Sequence, residues 1–165
     1  MNEAQLHLLV NHFPILCTIF GLLILLAGFL LRNPSVKGTA LGLFAFSAIT
    51  TLIAMRTGEG AEEIVERLPG ISHDIIHHHE ENAEVFYWLS LALGLLSLIT
   101  LYFQQKQHRL LNIFYGLVFL LGLGTAIYSY PVGHSGGEIR HTEIRSDNAQ
   151  PPAAGEVHEE RDEDD

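Results

Sequence analysis

FPILCTIFGLLILLAGFLL, residues 13–31, runs for 19 positions without an Asp, Glu, Lys, Arg or His. At about 1.5 Å per residue a helix of that length reaches roughly 28 Å, close to the ~30 Å hydrocarbon core of a bilayer. Residues 38–55, 85–103 and 110–130 share the property, over 18, 19 and 21 positions. Nearly half of the 165-residue chain therefore lies in uncharged runs long enough to cross a membrane, which excludes a soluble globular domain. The fold expected is all-α: a polytopic membrane protein, an up-down bundle of four transmembrane helices joined antiparallel by short connections. Small residues recur where backbones can approach, at Gly21 and Gly28, Gly38 and Gly42, Ala92 and Gly94, and Gly116, Gly122 and Gly124.

Outside these runs the charges are sorted. The connections 32–37 and 104–109 hold Arg32, Lys37, Lys106 and Arg109 and no acid. By the density of Lys and Arg in short loops, both face the cytoplasm, so the termini and residues 56–84 are external. In a bacterium that side is the periplasmic face of the inner membrane. Tyr87, Trp88, Tyr102, Phe103, Tyr128 and Tyr130 lie at span ends, where interfacial aromatics belong. The first ten residues carry Glu3 and no Lys or Arg, unlike the basic start of a cleaved signal, so the first span is expected to remain in the mature protein. Nineteen acids against nine Lys and Arg, with no basic stripe, exclude nucleic acid as a partner. One cysteine, Cys17, excludes a disulfide framework.

One domain is expected, a four-helix transmembrane domain over 1–145 with a structured external loop at 56–84, followed by an acidic tail at 146–165 expected to be disordered. Within the loop, residues 61–68 read as a short helix stopped by Pro69 and Gly70. Ser72 is placed to cap a new helix running through residue 84 into the third span. Near the end of the domain, the glycines of PVGHSGGEIRH (131–141) are expected to form a tight turn folding His134 and His141 back over the bundle mouth. The two halves are loosely alike, each ending in a Gly and Glu cluster, TGEGAEEI (57–64) and GHSGGEI (133–139).

Nine of the ten histidines fall on the external side: His7 and His12 before the first span, His73, His77, His78 and His79 before the third, and His134, His141 and His158 after the fourth. Glu59, Glu62, Glu63, Glu80, Glu81, Glu84, Glu138 and Glu143 arrive there too. Residues three and four apart on a helix share a face, so Glu59 with Glu62 or Glu63, and His77 with Glu80 or Glu81, can point two ligands at one place. Mixed imidazole and carboxylate ligands suit a transition metal such as Fe, Cu or Zn. Two facing imidazoles between apolar walls suit haem b. His12, in LVNHFPI, sits at membrane depth, where ionisable groups are costly and functional.

NHFPI (11–15), TGEGAEEI (57–64), HEENAE (79–84) and GHSGGEIRHTEI (133–144), in this order at these span ends, resemble an uncharacterised bacterial family of four-helix membrane proteins, domain of unknown function 2231. The resemblance covers residues 6–144. By motif it carries over His12, Glu59, Glu62, His79, His134, Gly137 and His141, and it implies a setting among respiratory, cytochrome-rich or metal-related proteins.

Together these readings give His12, His79 and His134 as direct ligands of haem b or a transition metal, with His141, Glu59, Glu62 and Glu80 as further ligands or orienting groups. The expected role is a redox or electron-transfer accessory in the lipid bilayer, serving a respiratory complex or cytochrome. The alternatives are divalent-metal capture and a structural subunit of a membrane complex. Spans without charge disfavour a channel or pump. An enzyme has the least support, since the chain has no Gly-x-Ser-x-Gly elbow, phosphate-binding loop or HExxH.

Overall fold

The computed structural model describes residues 2–145, so the expected acidic tail at 146–165, with His158, lies outside the described residues. Five helices follow in order: α1 (Glu3–Val10), α2 (His12–Leu30), α3 (Pro34–Val65), α4 (His73–Gln105) and α5 (Leu111–Arg140), then a 3₁₀ turn at Thr142–Ile144. α2 packs on α3, α3 on α4 and α4 on α5, and α5 closes back on α2. The long helices have the length and hydropathy to cross a membrane. α1 and α2 run almost without interruption through Asn11, whose backbone remains right-handed helical.

Local chemistry sets most of the helix ends. Asn2 accepts from the Gln5 amide while the Gln5 side chain accepts from the Asn2 amide, a reciprocal cap on α1. Asn33 accepts from the amides of Ser35 and Val36, and Pro34 fills the first helical position of α3. Arg32 and Gln107 adopt positive φ, closing the two short basic connections as tight turns. Ser72 does precede α4 in extended geometry, although its side chain makes no cap bond.

Two expectations are corrected. Residues 61–65 are not a separate helix: α3 continues through Gly58 and Gly60 to Val65 because α1 packs against the side chain-free backbone there. Likewise, the glycines after Pro131 form no turn. α5 stays helical to Arg140, placing His134 on its surface rather than over the mouth. The helix tolerates these residues because Gly136 seats the His79 ring and Gly137 seats Ile144.

The bundle is apolar outside and partly polar within. Leu30, Leu95, Leu120 and Ile127 face outward, whereas Thr18, Ser47, Ser90, Ser97, Thr100 and Thr125 are wholly enclosed. A surface so apolar needs lipid around it. Inside, the hydroxyls of Thr18 and Ser47 both donate to the Pro14 carbonyl, each at 2.8 Å, linking α2 to α3. Thr51 donates to the Ser47 carbonyl and so accepts from Ser90 at 2.9 Å, linking α3 to α4. Deeper lies an apolar plug of Leu25, Leu41, Phe44, Leu93 and Val118, all fully buried. At the basic-loop end, Tyr115 donates to Gln104, Gln104 donates to the Pro34 carbonyl, and the Lys37 ammonium lies 4.7 Å from the Tyr115 ring centre.

Phe44 sits in a slot between two glycines. A Cβ on Gly21 would stand 2.7 Å from its ring, and one on Gly122 3.3 Å. The ring is enclosed and cannot swing aside, so Gly21→Val is expected to cost about 1–3 kcal/mol by overpacking. Reversible unfolding of the detergent-solubilised protein should show the lowered midpoint; an unchanged midpoint would contradict this close packing.

Candidate functional site

Among the described residues, the external histidines and carboxylates named above lie at one end of the bundle, where α1 lies against the last three turns of α3. Small residues make the seat: the Glu3 carboxylate occupies the space that a Cβ on Gly60 would fill, and the His7 ring lies 3.4 Å from where one on Gly58 would be. The His7 Nδ1 is 3.0 Å from the Ala54 carbonyl and 3.3 Å from the Thr57 hydroxyl. A carbonyl can only accept, so Nδ1 carries the proton and Nε2 keeps its lone pair. Burial pushes the His7 imidazole below its usual pKa, against the opposing pull of the Ala54 carbonyl.

His79 occupies the corresponding place on α4, six residues before the uncharged run. Its ring packs on Gly136, and its Nδ1 lies 3.1 Å from the Ser135 hydroxyl. Because Ser135 donates to the Val132 carbonyl, it offers His79 a lone pair. Nδ1 is thus the donor here too. Burial above all, and then the nearby His7, hold the imidazole at a pKa of about 4, so it is neutral at physiological pH.

A third group lies toward the loop. One ligand atom each from Glu62, Glu66 and His73 falls within 4.8 Å of the others, and His73 Nδ1 is 3.1 Å from Glu66. Glu62 and Glu66 are one turn apart at the end of α3, while His73 opens α4, so the 66–72 loop brings the two helix ends together. Glu80 adjoins the cluster: burial, followed by a hydrogen bond and charge repulsion from Glu62, raises its pKa. Neighbouring carboxylates repel, and a cation between them would relieve that repulsion. Arg145, buried after α5, donates to the carbonyls of Glu138, Ile139 and Gly70, pinning the loop to the end of the bundle.

The residues singled out from sequence are distributed unevenly over this end. Glu62 and Glu80 meet, and His79 is half-buried as described. His12 is exposed on the first turn of α2 and has no hydrogen-bond partner among the described residues. His134 is exposed on α5, 3.8 Å from Glu138 one turn on, and His141 pairs with Glu143 at 3.0 Å. Glu59 is exposed. Among the described residues, no three of His12, His79, His134, His141 and Glu59 bring ligand atoms together as Glu62, Glu66 and His73 do. Glu66 escaped the sequence reading, and His7 and His73 figure there among the external histidines without a ligand role. The Glu62–Glu66 spacing of four was a usable signal, whereas His73 and His7 come into place only through a loop and a packed helix.

An all-helical bundle with an apolar exterior and polar groups massed at one end defines an integral membrane protein. Residues 3–143 match the model of the family described as Predicted membrane protein (DUF2231), and the chain belongs to that family. No curated protein and no solved structure matches it.

The seat of His79 makes a direct prediction. In metal-free protein, its imidazole NMR signals should titrate near pH 4, below the ordinary 6.5. A Cβ on Gly136 would lie 3.0 Å from the ring. Gly136→Val should therefore expel the ring toward water and raise the midpoint toward 6.5; an unmoved midpoint would show that Gly136 does not hold it.

Proposed function

We propose that this integral membrane protein captures a divalent transition-metal ion at its histidine-rich end through Glu62, Glu66 and His73. The observation that carries this reading is the convergence of those three ligand atoms from two helices within 4.8 Å. Two carboxylates and an imidazole form a three-ligand set open at a fourth position, a set that suits zinc. Glu80, beside Glu62, is the nearest source of a fourth ligand or of an orienting bond. The neighbouring Glu62 and Glu80 carboxylates also favour a cation here, since it offsets the repulsion between them.

The acid-free basic connections support an outward position for this end, in a bacterium the periplasmic face of the inner membrane. A second reading is an electron-transfer accessory holding haem b, iron or copper for a respiratory complex or cytochrome. It is favoured by the half-buried His79 at the same end, where the exposed His12, His134 and His141 are further imidazoles and Glu59 a further carboxylate.

Zinc titration of chelator-treated, full-length protein in detergent tests the first reading. One equivalent should bind, Glu62→Gln and His73→Ala should each weaken binding at least about tenfold, and His134→Ala should leave it unchanged. No saturable binding, or affinity indifferent to Glu62→Gln and His73→Ala, would overturn it.

A further inference from the structure

The ion pairs among the described residues all lie at the histidine-rich end, with His73, His77, His134 and His141 as their basic members. The opposite end carries Arg32, Lys37, Lys106 and Arg109 on connections that hold no acid. Among the described residues none of these four cations has a carboxylate partner.

Lys37 stands apart from the other three. Arg32, Lys106 and Arg109 are exposed, whereas Lys37, in the first turn of α3, is half-buried. Its backbone packs on Gly28 of α2, where a Cβ would stand 2.9 Å from the Lys37 amide nitrogen. Its ammonium lies 5.2 Å from the Phe29 ring centre and 4.7 Å from that of Tyr115, at the junction of α2, α3 and α5. Tyr115 donates to Gln104, and Gln104 donates to the Pro34 carbonyl, which ties the two basic connections together at this corner. Arg32 leaves the same corner, its amide donating to the Phe29 carbonyl at 3.2 Å. Ring faces attract a cation but carry no net charge, so a partly desolvated ammonium resting on them still draws an anion.

The surface beside Lys37 is one that lipid covers. Phe29 meets Tyr115 and Phe119 edge-on, with ring centres 5.8 and 6.3 Å apart, and so joins α2 to α5. Leu26 and Leu30 of α2 and Leu117 and Leu120 of α5 are exposed. Gly116, next to Tyr115, has nothing within 4 Å of where a Cβ would stand, so the outer surface there is open. An anion that suits both this apolar surface and the ammonium at its end carries its own hydrocarbon.

We infer that Lys37, with Arg32 beside it, holds the phosphate of an anionic phospholipid at the basic end of the α2–α5 seam, the acyl chains lying along the exposed leucines of those helices. An ammonium binds phosphate as a point charge, and basic side chains between spans at the membrane rim recognise anionic headgroups. A zwitterionic lipid brings its own cation, which the four uncompensated charges repel. The site shares no residue with the divalent-ion site and does not depend on that reading.

Native mass spectrometry of the full-length protein released from detergent, with phosphatidylglycerol or phosphatidylcholine added, tests the inference. One phosphatidylglycerol should be retained at least about tenfold more tightly than phosphatidylcholine. Lys37→Gln keeps the stem against Gly28 and should remove most of that preference with the unfolding midpoint retained, and Lys37→Arg should preserve the preference. Arg32→Gln, at an exposed position, should weaken retention severalfold. Lys106→Gln removes the same charge from the end of α4, where Lys106 lies over Tyr102, and should change retention less than about twofold. Equal retention of the two lipids would overturn the inference. So would a loss on Lys106→Gln matching those on Lys37→Gln and Arg32→Gln, the mark of diffuse attraction, or displacement of the lipid by millimolar inorganic phosphate, the mark of a site for a soluble anion.

Discussion

The Phe44 ring, wedged between Gly21 of α2 and Gly122 of α5, sets how closely three of the four long helices approach. In a soluble bundle such a ring would be driven inward by water. In lipid the outward-facing Leu and Ile side chains are as well solvated as buried ones, so burial alone gives no reason for the helices to associate. Association depends instead on close contact at small residues and on hydroxyl bonds between helices. Gly94 against Ala48 and Gly28 against Lys37 repeat the first device, and the Thr18, Ser47, Ser90 and Thr51 set supplies the second. Each such bond contributes modestly, on the order of 0.6 kcal/mol in membranes.

The same constraint separates the chemistry of the two ends. The fully enclosed Leu25, Leu41, Phe44, Leu93 and Val118 interrupt the polar interior, so the hydroxyls above them reach toward the histidine-rich mouth and not through to the basic loops. Charged and imidazole groups then collect where helices α3, α4 and α5 project beyond their uncharged runs. There the α1 helix covers one side and the 66–72 loop another. Partial covering is what desolvates His7 and His79 enough to keep them neutral while leaving Glu66 and His73 open to solvent.

The four spans and their antiparallel order were legible because an uncharged run of about 20 residues has few other structural solutions in a chain this size. The gathering of His and Glu at one end followed from that order. Helix ends were less legible. Gly58, Gly60, Gly136 and Gly137 disfavour helix locally, and each reads as a breaker; their helical state depends on Glu3, His7, His79 and Ile144 filling the space a side chain would take. That partnership is tertiary and leaves no periodic trace. His7 illustrates the point: its placement comes from the Ala54 carbonyl 47 residues away, whereas His12, conspicuous beside its apolar run, is exposed. Glu62 and Glu80 were found by helical spacing, but their meeting depends on the bend at residues 66–72.

Arg145 gives this end of the molecule a mechanical connection. Its guanidinium grips the last turn of α5 and the Gly70 carbonyl together, and Gly70 lies midway between Glu66 and His73. A displacement of Arg145 is therefore felt at the connection that sets the spacing of the Glu66 and His73 side chains, without any helix having to shift within the lipid.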